Sequence, residues 1–213
     1  LKGLMAMVGL GVSLAVVGVF ILPALMAGGR PVGVIVVGAA AMMFSSIYLA
    51  HGISIRTTTA VLGTFGGLLI TLGVSLWAVD SMRLTGTASD DSLVLMGEIP
   101  GLDMSSILLC GMLLAGLGAL NDVTITQVST VWELHAANPA MSRRRLFTQG
   151  MAVGRDHIAS TVYTLAFAYV GTALPMLMAA ALMQRSTVDL LQVSQISEEI
   201  ARTLTASVGL ILA

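Results

Sequence analysis

The stretch GALNDVTITQ, residues 118–127, sets an amide beside a carboxylate at the end of an apolar run, Met104–Leu120. Ionisable groups at membrane depth commonly mark solute, ion or proton paths, because a charge there is costly unless it is paired or used. Asn121 and Asp122, with Thr126 and Gln127 about one turn on, are therefore candidates for a substrate or ion pathway. GRDH, residues 154–157, adds Arg155, Asp156 and His157, and is followed by Ser160, Thr161 and Thr164. His51, opening HGISIRTTT (51–59), adds a third contribution. A carboxylate in hydrocarbon costs up to about 3 kcal/mol on insertion scales, so Asp122 is expected to have a partner. Unpaired, it would take up a proton; beside a cation it would stay ionised. Arg155 or His157 is the expected partner.

Spacing supports the grouping. Asp122, Thr126, Ser129 and Glu133 recur at i, i+4, i+7 and i+11, one stripe of a helix, next to an apolar stripe of Ile125, Val128 and Trp132. This predicts an amphipathic extension of the helix beyond the membrane, with Glu133 and His135 solvated. His157, Ser160, Thr161, Thr164, Ala168, Gly171, Thr172 and Pro175 form a small and polar face, suited to close packing or to lining a wet path. Arg143, Arg144 and Arg145 read first as charges that set topology, and otherwise as contacts to a partner or to anionic lipid head groups.

Other chemistry finds less support. There is no HExxH motif, no GxSxG serine and no nucleotide-binding P-loop. His51, His135 and His157 are not paired on one helix turn, and the Met42–Met43 pair reads as packing. No enzyme, cofactor or metal site is expected. Cys110 stands alone in SSILLCGMLL, which excludes an internal disulfide.

The elements that must hold these residues follow from composition. Of 213 residues, 56% are hydrophobic and 10% charged, with a mean hydropathy of +0.95. Soluble domains carry about 25% charged residues, so apolar residues here must also face outward, into lipid. Crossing about 30 Å of hydrocarbon takes about 20 apolar residues in a helix. Spans are expected near 4–26, 32–50, 57–79, 104–121, 158–183 and 196–213, an all-α polytopic bundle of about six helices. Pro23 and Pro175 should kink the spans that hold them. Residues 80–103 carry Arg83 against five carboxylates, a net charge of −4, whereas Glu133–His157 carries a net +2. The positive-inside rule then makes 80–103 an extracytoplasmic loop, and 122–157 a cytoplasmic extension and basic loop. Within the former, TGTASDD (85–91) is expected to be irregular. Leu1 is not a natural start, so a longer parent chain is expected.

GLGALNDVTITQVSTVWELHAANP (116–139), GMAVGRDHIASTVYTLAFAYVGTALP (150–175), YLAHGISIRTTTAVLGT (48–64) and EEIARTLTASVGL (198–210) resemble, in order and spacing, the YibE/F-like family of bacterial multi-pass membrane proteins. The resemblance implies a protein of the bacterial plasma membrane, of a kind often suggested to be a transporter or permease. It supplies no binding residues. Two readings follow. In the first, the chain is a transporter or permease of undefined substrate, with its polar site at the cytoplasmic mouth. In the second, it is a structural or accessory subunit, held in a membrane complex or homo-oligomer. Lipids are expected partners in both, and nucleic acid in neither.

Overall fold

Hydrocarbon offers the backbone no hydrogen-bond partners, so each apolar run must satisfy its peptide groups internally, as a helix. The computed structural model describes residues 2–182 and 193–213 and shows only helices among them. α1 (Lys2–Val16) continues through a π-helical turn, Val17–Ile21, into α2 (Leu22–Met26). The wide turn lies just ahead of Pro23, whose ring crowds the preceding turn and whose nitrogen has no proton to donate. α3 (Pro31–His51) stops at Gly52, whose φ of 75° favours glycine. Ser54 then caps α4 (Ile55–Ser81), its hydroxyl accepting from the Thr57 N–H at 3.1 Å. The chain proceeds through α5 (Asp90–Glu98), α6 (Met104–Ala137), α7 (Arg143–Leu182) and α8 (Ser194–Leu212).

Two loop ends matter below. α4 closes in a Schellman motif: the Leu84 N–H donates to Val79 O at 3.0 Å and the Arg83 N–H to Asp80 O at 3.2 Å. Arg83 occupies the left-handed position, with φ of 52°, where glycine is usual. Asp103 caps α6 by accepting from the Ser105 N–H at 3.1 Å and from the hydroxyls of Ser105 and Ser106 at 2.7 and 2.6 Å. The Ser106 hydroxyl, then that of Ser105, hold its carboxyl below the usual value of 3.8.

α6 is the hub, touching α3, α4, α7 and α8; α8 packs against α4, α6 and α7, and α1 lies on α3. Small residues allow close approach. A Cβ on Gly38 of α3 would stand 2.5 Å from Ile21, and one on Gly209 of α8 would stand 2.1 Å from Thr71 Oγ1 of α4. Large apolar side chains point outward, with Trp77 70% and Phe167 72% exposed, as a lipid-facing surface requires.

Among the described residues, five helices are long and apolar enough to cross a membrane. The sixth expected span exists as α8, but carries Glu198, Glu199 and Arg202 in its first half. The span expected at 158–183 begins instead at Arg143 and runs unbroken through Pro175, so the three arginines form the first turn of a helix rather than a loop. Its expected end at Met183, like Leu1, lies outside the described residues. The amphipathic extension is present: α6 is one helix of 34 residues. Residues 84–89 are irregular as expected, but α5 follows at once, capped by Ser89.

Candidate functional site

The stripe on α6 lines a groove. Asp122, Thr126, Ser129 and Glu133 share a cavity of about 720 Å³ with His51 of α3 and Arg56 of α4. At its mouth, Arg56 Nη1 lies 3.2 Å from Glu133 Oε1, joining α4 to α6. Along α6, Asp122 is roughly 16 Å from Glu133 at 1.5 Å per residue. Thr124 meets Thr64 through their hydroxyls, which places this level roughly 13 Å along α4 from Ile55. The start of α4 therefore stands level with Glu133, and Asp122 lies roughly 16 Å further along the bundle, with its side chain exposed. The 51–59 turn, grouped with Asp122 on polar composition, is thus separated from it along the axis by the continuous α6 helix.

At the far end of the groove from Glu133, though not itself lining the cavity, His157 Nε2 of α7 comes within 3.2 Å of Asp122 Oδ2, the side chains being 31% and 62% exposed. The contact is close but lacks hydrogen-bond alignment, since Nε2 makes no hydrogen bond. Arg155, the other expected partner, turns back on its own helix and donates from Nε to Met151 O at 3.3 Å. Asp156 is exposed beside it.

The remaining candidates divide by helix face. Asn121 donates from Nδ2 to Ser46 Oγ of α3 at 2.9 Å. Gln127 faces α7, where its amide lies on the bare backbone of Gly154: a Cβ there would be 2.5 Å from Oε1. Thr161 and Thr164 donate their hydroxyls to the carbonyls of His157 and Ser160, one turn earlier. Ser160 and Thr164 point away from the bundle, as do Ala168, Gly171 and Pro175, so most of the small face of α7 is turned outward. Arg143, Arg144 and Arg145 are exposed at the start of α7. The structure thus joins His51, Asp122 and Thr126 in the groove, sets His157 against Asp122 from α7, and leaves Arg155, Asp156, Ser160 and Thr164 outside.

Two groups were not legible beforehand. Glu133 is solvated as expected, its side chain 73% exposed, but its pairing with Arg56 was not anticipated. At the opposite end, a cleft of about 340 Å³ is lined by Asp91, Ser92, Gly111, Glu198, Glu199 and Arg202, among others. There Glu198 Oε1 accepts from the Gly86 N–H at 2.9 Å, and Arg202 Nε lies 3.4 Å from Glu199 Oε2. The guanidinium sits against bare α6 backbone, since a Cβ on Gly111 would be 2.5 Å from Nη1. The signal was an arginine three and four residues after two glutamates in a segment otherwise fit to span.

No curated protein and no solved structure matches the chain. A sequence model of one family does, over residues 1–213. With a helical architecture and that match along its whole length, this chain belongs to the YibE/F-like protein family.

Proposed function

We propose that the protein is a transporter or permease of the bacterial plasma membrane, and that the groove along α6 is its substrate or ion site, opening to the cytoplasm. One observation carries the reading. A helix apolar enough to cross a membrane bears a polar stripe that lines a cavity, from the Arg56–Glu133 pair along to Asp122, which His157 of α7 meets from outside the lining. A water-filled groove supplies the hydration that an ionisable side chain at such depth otherwise lacks. In this reading Asp122 is the anchor for a cationic or hydrogen-bonding solute, with His51 and Thr126 beside it. The protein performs no covalent chemistry and uses no cofactor. Transport is secondary or driven by a partner.

The test is ligand-induced stabilisation of the purified full chain against a panel of small solutes. A true ligand at about 100 times its Kd should stabilise the fold by about 2.7 kcal/mol, and Asp122→Asn should abolish the effect. A panel without a hit, together with a stoichiometric membrane partner on native purification, would refute transport. The second reading, an accessory subunit, is favoured by Arg143, Arg144 and Arg145. A helix N-terminus disfavours cations by about 0.3–1 kcal/mol each, so three exposed arginines there are better suited to an anionic partner or lipid head group than to the helix itself.

A further inference from the structure

α5 reads DDSLVLMGE, with carboxylates at both ends and four large apolar residues in a row between them. Successive residues on a helix are turned by about 100°, so four in a row leave no side of its middle polar. A helix that is apolar all round belongs inside a protein core or a membrane. α5 is not in the core. No other described helix packs along it, and Ser92 is its one buried residue among those described. Leu93 and Val94 are 61% and 64% exposed, Leu95 and Met96 36% and 48%.

The surroundings of α5 fix its depth. Met104–Asn121 covers roughly 27 Å of helix against about 30 Å of hydrocarbon, so Met104 stands near one edge of the apolar layer. Gly86, just ahead of α5, lies on that residue, since a Cβ there would overlap Met104 O. The Gly86 N–H donates to Glu198 of α8, and the Gly86 carbonyl accepts from Ser92 Oγ at 2.9 Å. Leu95 shares the cleft with Met104, Ile107 and Leu108 of α6, and Met96 shares a second cavity with Val79 of α4. α5 is therefore pinned level with the adjoining ends of α4 and α6. Trp77, one turn before the end of α4, is exposed at this level, where indole rings mark the meeting of hydrocarbon and head groups.

We propose that α5 is an interfacial helix, seated among the head groups of the leaflet at this end with Leu93, Val94 and Met96 in the acyl boundary. This goes beyond the transport reading and holds whether or not the groove carries a solute. Two observations choose lipid over a protein partner. The exposed apolar residues continue the lipid-facing surface of α4 through Trp77 and Met82, both exposed. α5 also carries Asp90, Asp91 and Glu98 and no cation. In a two-fold interface with a second copy each patch meets itself, which would set carboxylate against carboxylate. Many interfacial helices use Lys and Arg to reach anionic lipid; α5 is held by apolar burial alone and suits a zwitterionic leaflet. Because Asp91, Ser92 and Leu95 line the cleft beside Glu198 and Arg202, the leaflet then holds one wall of that cleft.

Nitroxide labels test this in the full chain, with Cys110→Ala, reconstituted in phosphatidylcholine vesicles. Oxygen concentrates in hydrocarbon and a charge-neutral nickel chelate in water, so relaxation by the two reports what surrounds a label. Labels at Leu93→Cys and Val94→Cys should be relaxed several-fold more by oxygen than by nickel. Phe167→Cys, on the lipid-facing side of α7, sets the hydrocarbon limit, and Ala140→Cys, in the exposed turn before α7, the water limit. Exchanging half of the lipid for anionic phosphatidylglycerol, or raising the salt to 1 M, where the Debye length is about 3 Å, should leave the oxygen preference in place. Nickel relaxation equal to that at Ala140→Cys would put α5 in water, and weak relaxation by both reagents would put it against protein; either overturns the proposal. So does an oxygen preference that appears only with the anionic lipid or vanishes in salt. Unfolding scans confirm that each labelled variant is folded, and two sites on α5 keep the test open if one variant is not.

Discussion

Replacing Asp122 by Asn and His157 by Gln, singly and together, measures what the contact at the end of the groove contributes. At 3.2 Å, with His157 protonated in an acidic buffer, opposite unit charges attract by about 1.3 kcal/mol in a water-like dielectric and about 5 kcal/mol at an effective dielectric of 20. Asp122 is 62% exposed and the contact is not aligned as a hydrogen bond, so the groove should behave as a wet site. The coupling energy from the double-mutant cycle should then be about 1 kcal/mol, as for accessible pairs. Chemical or thermal unfolding of the four proteins in one detergent gives that number. Raising the salt to 1 M shrinks the Debye length to about 3 Å, and should remove at least half of the coupling. No coupling at low salt would refute the pairing. A coupling above about 3 kcal/mol, insensitive to salt, would refute the wet groove, because such values belong to dry buried pairs.

Four further outcomes follow from the packing and the loops. Gly209→Val should destabilise the fold by about 1–3 kcal/mol through overpacking on Thr71, read as a lower unfolding temperature; an unchanged temperature would mean that α4 and α8 do not approach as described. Arg83→Gly should stabilise by about 1 kcal/mol, relieving a left-handed backbone that costs a non-glycine residue about that much, and the same scan reads it. Asp103→Ala should cost about 1 kcal/mol as a lost N-cap. Because the folded state holds the Asp103 carboxyl below its ordinary value of 3.8, its contribution is present above about pH 4 and is lost as pH falls through the lower folded value; unfolding scans at neutral and acid pH should differ less for the alanine variant. Finally, with Cys110 replaced, an impermeant thiol reagent on intact cells should label Ser89→Cys and not Ser142→Cys. The reverse would invert the topology.

How far the sequence could be read depended on whether a feature lay within one helix or between two. The stripe Asp122–Thr126–Ser129–Glu133 was legible because period alone fixes a face, and one helix carries all four residues. The ends of α3 and α4 came within two residues of expectation because Gly52 and Ser54 punctuate them. Partnerships across helices were harder, since they depend on the depth and rotation of two elements at once. Hydropathy fixes depth only to within a turn or so, and one turn separates His157 from residues that face outward. Arg155 therefore looked equal to His157, and nothing in HGISIRTTT singled out Arg56 as a partner for Glu133. α5 was missed under a run of turn formers, although Ser89 followed by Asp90 and Asp91 has the cap and first-turn acids of a helix start. The start of α7 was hidden in the opposite way: Ser142 precedes three arginines, whose charges are wrong for the helix end they occupy.

At 34 residues, α6 is roughly 51 Å long, against about 30 Å of hydrocarbon. It is also the member that touches α3, α4, α7 and α8. Such a rod is a lever whose fulcrum lies among its neighbours and whose outer arm, roughly 20 Å long and held by α7 at Gly150 and by Arg56 of α4, runs to the turn before Arg143. A tilt of roughly 10°, within the range that membrane helices adopt, would swing the tip by about 3–4 Å. Because Glu133 rides on that arm while Arg56 belongs to α4, the same swing would part the pair at the mouth of the groove. Whatever grips the arginines at the tip would then hold a mechanical handle on access to Asp122, and spin-label distances between residues 56 and 133 would record the stroke.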